Sequence, residues 1–120
     1  KLKKNSKKLN VLGNGLQKKI YMHVSDLLDA MFFLEKKFKK GIHVCNIGPN
    51  DKGVEVRKIA KLMSSKFGNK TNIIYQKKKI GWVGDIPSFQ YDVSKIKKLG
   101  FKKKTLNSWQ AILKSVSEIE

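Results

Sequence analysis

Residues able to transfer protons, attack a carbonyl or hold a metal are few and scattered in this chain. The two histidines, His23 and His43, both lie in apolar segments, where a lone imidazole is more often a satisfied core or edge residue than a base. Cys45 is the single cysteine, so neither an intrachain disulfide nor a cysteine-based metal site can be built, and it reads as a small core residue. No Ser-His-Asp elbow, zinc spacing or Walker loop occurs. Gly13-Asn14-Gly15 lacks the third glycine and the following helix that a dinucleotide pyrophosphate requires. The pair Tyr-x-x-x-Lys occurs twice, at Tyr75/Lys79 and Tyr91/Lys95. Three tyrosines in so lysine-rich a chain give about 0.65 such matches by accident, and both pairs are read as coincidences. The loop Gly81-Trp82-Val83-Gly84-Asp85-Ile86-Pro87 is more informative. It can present the Asp85 carboxylate to ribose hydroxyls, or use it to organise an Asx-type turn before Pro87; the residue types leave both open.

These residues need elements to position them. The runs Leu9 to Leu12 and Ile20 to Val24 flank an Asn-Gly pair, which predicts a hairpin or two neighbouring strands joined by a loop. The spacing predicts a helix over Ser25 to Lys40, capped by Ser25 or Asp26 and stopped by Gly41. Its broad face of Leu27, Leu28, Met31, Phe32, Leu34 and Phe38 implies burial on more than one side. Ile42 to Ile47 reads as a buried strand ended by Gly48-Pro49. A second amphipathic helix is expected over Glu55 to Phe67, closed by Gly68, then a strand over Ile73 to Gln76 and a loop over Lys77 to Phe89. A short helix over Ser94 to Leu99 and a last one from about Leu106, capped by Thr105, complete the order. The last helix carries a one-sided stripe of Leu106, Trp109, Ile112, Leu113, Val116 and Ile119. The alternation indicates an α/β or α+β unit. A parallel strand at 42–47 wants parallel neighbours on both sides, which this chain does not obviously supply, so the unit looks incomplete.

At 120 residues and 40% hydrophobic content, one domain spanning 1–120 with a modest core is expected. The opening KLKKNSKKL reads as the end of a helix already under way, as though cut from something longer. The formal net charge is +18, but of 27 basic residues only Arg57 is an arginine. Nucleic-acid readers favour arginine, whose planar fork grips guanine edges and phosphates. Scattered lysines therefore read as lysine-biased residue usage on solvated faces, with a positive field that would draw in a diphosphate-bearing ligand. The longest apolar run, Ala30 to Leu34, is too short to span a bilayer. With no visible signal peptide, a cytoplasmic location is the default.

Four stretches, in order, resemble the C-terminal half of extended short-chain dehydrogenases of the UDP-glucose 4-epimerase type: Leu9 to Met31, Ile42 to Ala60, Gly81 to Pro87 and Tyr91 to Phe101. They cover nearly the whole chain and discriminate poorly among nucleotide-sugar epimerases, dehydratases and decarboxylases. The resemblance implies an incomplete C-terminal α/β portion with about four helices, in which Ile42 to Ile47 is the last strand of a Rossmann sheet. It implies that an N-terminal Rossmann domain, absent here, binds NAD and carries the catalytic residues, in the same or a separate chain. The complete enzyme would be a homodimeric isomerase. This chain would clamp the nucleotide diphosphate of a UDP-sugar without being catalytic alone. By the same resemblance Asn10 and Leu12 belong to the strand whose backbone meets the base, Lys19 takes the place of a diphosphate-binding arginine, and Asp85 faces the ribose. One departure stands out: Ile80 occupies the position of a second diphosphate arginine. That lost contact would cost about 1.5–3 kcal/mol, unless Lys77, Lys78 or Lys79 substitutes. The alternatives are a small basic nucleic-acid-binding protein and a non-functional remnant of such an enzyme.

Overall fold

The computed structural model describes residues 7–67, 71–78, 81, 84, 86 and 89–119. The chain forms two compact units, Lys1–Lys19 with Val54–Phe89, and Ile20–Gly53 with Gln90–Glu120. Together they hold eight elements among the described residues, four of them helices. None of these helices is long and apolar enough to cross a membrane.

In the first unit, β1 (Lys8–Val11) pairs in parallel with β4 (Asn72–Tyr75), with Leu9 opposite Ile73 and Val11 opposite Tyr75. β2 (Lys18–Lys19) pairs antiparallel with β3 (Val54–Glu55), which runs directly into α2 (Val56–Phe67). The helix turns Ala60 and Ser64 inward, four residues apart on one face. The hairpin expected around Gly13-Asn14-Gly15 does not form, and Ile20 to Val24 is not a strand. Gly13 and Gly15 do turn the chain, both at φ 78°, but the turn carries it from one two-stranded sheet to the other. The parallel partner of β1 arrives only after the α2 crossover, as parallel pairing requires.

The second unit holds α1 (Val24–Lys37), α3 (Ser94–Lys98) and α4 (Ser108–Ser117). Ala30, Val93 and Ile96 form its buried apolar centre, with Leu34, Cys45, Ile47 and Phe101 packed around them. The caps differ from those expected. His23 caps α1 by accepting from the Ser25 N–H, and its Nε2 meets the Glu118 carboxylate at 2.9 Å. Asn107, not Thr105, caps α4 by accepting from the Gln110 N–H. Asp26 and Thr105 are unavailable as caps because they bond each other. The Asp26 carboxylate, 0% exposed, accepts from the backbone N–H groups of Lys104 at 2.8 Å and Thr105 at 3.1 Å and from the Thr105 hydroxyl. A second carboxylate does similar work: Asp51 accepts from the Ser108 N–H at 2.7 Å, the Ser108 hydroxyl at 2.8 Å and the Gly53 N–H at 2.7 Å.

The segment 42–47 departs furthest from its reading. It carries no strand among the described residues, and Ile42 and Val44 are 98% and 78% exposed. A strand exists only against a hydrogen-bonding neighbour, and here none is present among the described residues. The broad face of α1 is likewise uncovered: Leu28, Met31 and Phe32 are exposed, while Asp26 and Ala30 are the helix's buried residues. The last stripe is partly correct, since Ile112 and Val116 are buried, whereas Leu106, Leu113 and Ile119 are exposed. Gly68 and part of the 77–89 loop lie outside the described residues.

Burial works to raise the Asp26 and Asp51 carboxyls, but hydrogen bonds from Thr105 and Lys104 to the first, and from Ser108 and Gly53 to the second, outweigh it and hold both below the usual range. A depressed carboxyl contributes stability above its unfolded value of about 4 and loses it as pH falls through the folded value. Urea denaturation as a function of pH is therefore expected to show the second unit weakening below about pH 4. Asp26→Asn should cost about 2–3 kcal/mol at neutral pH, because an amide cannot accept all three donors, and should flatten the acid decline.

Candidate functional site

The residues singled out for ligand contact fall in the first unit. Asn10 is an exposed position of β1, opposite Ile74. Leu12 follows the strand with its side chain exposed, and its carbonyl accepts from Gln17 Nε2 at 2.8 Å. Lys19 sits in β2, and its ammonium donates to the carbonyl of Ile86 at 2.5 Å. Asp85 and Ile80 lie outside the described residues. Lys19 nonetheless reaches the residue that directly follows Asp85 in the chain. A second approach joins the same segments. A Cβ added to Gly13 would lie 3.1 Å from the backbone N of Gly81, so the Gly13–Gly15 turn and the start of the Gly-Trp-x-Gly-Asp stretch pack backbone to backbone. Two motifs separated by nearly seventy residues thus meet in one unit.

The turn between β1 and β2 is held from below by residues that spacing did not single out. Gln76 accepts from and donates to Gly13, its side-chain Oε1 taking the Gly13 N–H at 3.3 Å and its own N–H giving to the Gly13 carbonyl at 2.9 Å. Arg57 donates from Nη2 to the Asn14 carbonyl at 3.2 Å and from its backbone N–H to the Gly15 carbonyl at 2.8 Å. Its guanidinium carbon lies 5.0 Å from the centroid of the Tyr75 ring, a stacked cation–π arrangement. Gly15 is required twice over, by its positive φ and because a Cβ there would stand 2.6 Å from Tyr75 Cε1. The available signal was that Arg57 is the one arginine among so many lysines.

The Tyr-x-x-x-Lys residues have structural occupations where described. Tyr75 lies under Arg57, and Lys79 is outside the described residues. Tyr91 packs on Gly48, and Lys95 donates to the Val44 carbonyl at 2.5 Å. His43 stacks on Phe38 with ring centroids 4.0 Å apart and bonds the Lys40 carbonyl through Nε2. Among the described residues no group of three or more His, Cys, Asp or Glu could hold a metal ion. The second unit contains a cavity of about 120 Å³ lined by residues including Met22, Ile47, Val93, Ile96, Phe101 and Lys103. That is well under the roughly 300–1,000 Å³ of a typical ligand pocket, and Asn10, Leu12 and Lys19 are not among its described lining residues.

No family model and no curated relative matches the chain. Solved structures do. MoeE5 in complex with UDP-glucuronic acid and NAD aligns with a TM-score of 0.66 and 26% identity, covering 93% of this chain and 38% of that one. MoeE5 in complex with UDP-glucose and NAD aligns with a TM-score of 0.63 and 24% identity, covering 91% and 38% respectively. The chain therefore has the fold of part of a protein solved with a UDP-sugar and NAD, and spans 38% of its length.

The glycine requirement is testable by contrast. Gly15→Ala meets both a left-handed backbone and the Tyr75 ring, whereas Gly100→Ala, at φ +94° with nothing within 4 Å, meets only the backbone penalty. Chemical denaturation should show about 1–2 kcal/mol lost for Gly100→Ala. For Gly15→Ala it should show about 2–4 kcal/mol.

Proposed function

We propose that this chain is the substrate-binding part of an NAD-dependent UDP-sugar 4-epimerase, and that it clamps the nucleotide diphosphate while a Rossmann portion supplies the chemistry. The observation that carries this reading is the Lys19 ammonium on the Ile86 carbonyl, which brings the lysine standing for a diphosphate-binding arginine onto the loop that bears Asp85. The likeness to MoeE5, solved with UDP-sugars and NAD, supports the ligand class. A diphosphate accepts from an ammonium more strongly than a neutral carbonyl does, because the bond is charge-assisted on both sides. In this reading Asp85 accepts from the ribose hydroxyls, and the backbone at Asn10 in β1 and at Leu12 just after it meets the base.

NAD, when bound in the complete enzyme, supplies a hydride acceptor and donor for C4 of the sugar. The residues present here do not fit it. The Gly13–Gly15 turn leads into β2 rather than a helix N-terminus, and the space beside Gly15 is filled by the Tyr75 ring. The cofactor is accordingly assigned to the Rossmann portion, and no proton or hydride step to this chain. The uncovered apolar side chains of α1 and of Ile42 and Val44 support a docking face for that portion, since exposed apolar clusters of this kind mark association sites. The complete enzyme is read as a cytoplasmic homodimer.

Calorimetry with UDP and UDP-glucose tests the clamp. Both should bind the chain, and Lys19→Met should weaken each about 10- to 100-fold, the worth of one charge-assisted hydrogen bond. The purified chain should not turn over UDP-glucose. Absence of UDP binding, or equal affinity in Lys19→Met, would sink the reading; tight, salt-sensitive binding to random-sequence DNA would favour the nucleic-acid alternative instead.

A further inference from the structure

Arg57 meets the β1–β2 turn in a way that simple packing does not require. Two successive carbonyls, those of Asn14 and Gly15, both converge on it, one bonded by Nη2 at 3.2 Å and the other by the backbone N–H at 2.8 Å. Holding two consecutive carbonyls fixes the peptide plane between them, and the positive φ of Gly15 makes that plane the pivot of the turn. The guanidinium is itself fixed by lying over Tyr75, and the ring of Tyr75 leaves Gly15 no room for a side chain. Three side-chain atoms around this turn, Gln17 Oε1, Arg57 Nε and the Tyr75 hydroxyl, are buried without a hydrogen-bond partner among the described residues. Buried polar atoms left in this condition are costly, and in native proteins they gather where geometry serves a function.

We infer that Arg57 is a positioning residue that sets the conformation of the loop from Leu12 to Gln17. Through that loop it sets the distance between the β1 edge and Lys19, the two features that the proposed nucleotide contact needs; this second half rests on the proposed function. Lysine, used at every other basic position, cannot replace it. A point-charge ammonium can sit over a ring or donate to a carbonyl, but it lacks the planar fork that does both at once. The turn is anchored on either side, by Gln76 on Gly13 and by the Val56 N–H on the Gln17 carbonyl at 3.1 Å. Those anchors bound the loop whose conformation Arg57 sets.

The test is hydrogen exchange on the whole chain for Arg57→Lys, Arg57→Met, Tyr75→Phe and Tyr75→Leu. The reporters are the amides of Gly13 and Leu16, bonded to Gln76 Oε1 and Asn14 Oδ1, against those of Leu99 and Ala111 in the other unit. Arg57→Lys and Arg57→Met are expected to speed exchange at Gly13 and Leu16 at least tenfold and to leave Leu99 and Ala111 within twofold. Tyr75→Leu, which removes the ring, should behave like them, while Tyr75→Phe should not, since it removes only an unpartnered hydroxyl. Arg57→Lys should also weaken UDP at least fivefold with the melting temperature little changed, a loss that mere support of the fold would not produce. Exchange in Arg57→Lys equal to the parent, or acceleration spread evenly over both units, overturns the inference. If the parent binds no UDP, the clamp reading fails while the exchange comparison still decides the role of Arg57.

Discussion

Asp26 sets the terms for the second unit. A carboxylate with no solvent exposure must have its charge answered by donors, or it costs several kcal/mol. Here the donors come from the turn that precedes α4, namely the N–H groups of Lys104 and Thr105 and the Thr105 hydroxyl. The start of α1 is thereby bound to a stretch nearly eighty residues away. The turn could not be satisfied by water in that place, and the helix could not keep a buried carboxylate without the turn. Asp51 repeats the device on Ser108, whose hydroxyl in turn accepts from the Tyr21 N–H at 3.0 Å. In a chain of net charge +18, two of its few acids are spent on backbone N–H groups rather than on lysines. That choice reflects strength: a buried carboxylate on several oriented donors outweighs an exposed ion pair such as Lys104 with Asp29.

The first unit solves a different problem, which is to bring short strands together without a long sheet. β1 and β4 share four residue pairs, and β2 and β3 two, too few for a ladder to hold the turn between them by itself. Side chains take over. Gln17, Gln76 and Arg57 each bond backbone in the Leu12 to Gln17 stretch, and the packing around Gly15 leaves the chain one path. The Gly13 turn lies against Gly81 and Lys19 against Ile86 in the same unit, so the approaches on which the proposed ligand contact rests go with the bracing of the turn.

The second unit also carries large apolar side chains that stay exposed. Phe32, Met31 and Leu28 project from α1 without cover, and Ile42 and Val44 stand in solvent. Side chains of this size contribute to stability only when water is removed from them. In the proposed reading it is the docked Rossmann portion that would remove that water.

Much was legible from residue order alone: the four helices, the strands near Leu9 and Ile73, and the turn at Gly13-Asn14-Gly15. Periodicity and φ tolerance are local, so they survive without knowledge of the fold. Lys19 stands out from the other lysines only by the resemblance. What the residues could not reveal was partnership. Whether Ile42 to Ile47 pairs depends on a neighbour, not on its own apolar character. Whether Asp26 caps a helix or ties down a distant turn depends on which donors arrive beside it. Arg57 is conspicuous in the sequence only by being an arginine; its role appears when Tyr75 and the Asn14 and Gly15 carbonyls converge on it. Local order therefore follows from the sequence read along the chain, whereas hydrogen-bond and burial partners are long-range facts that only the tertiary structure decides.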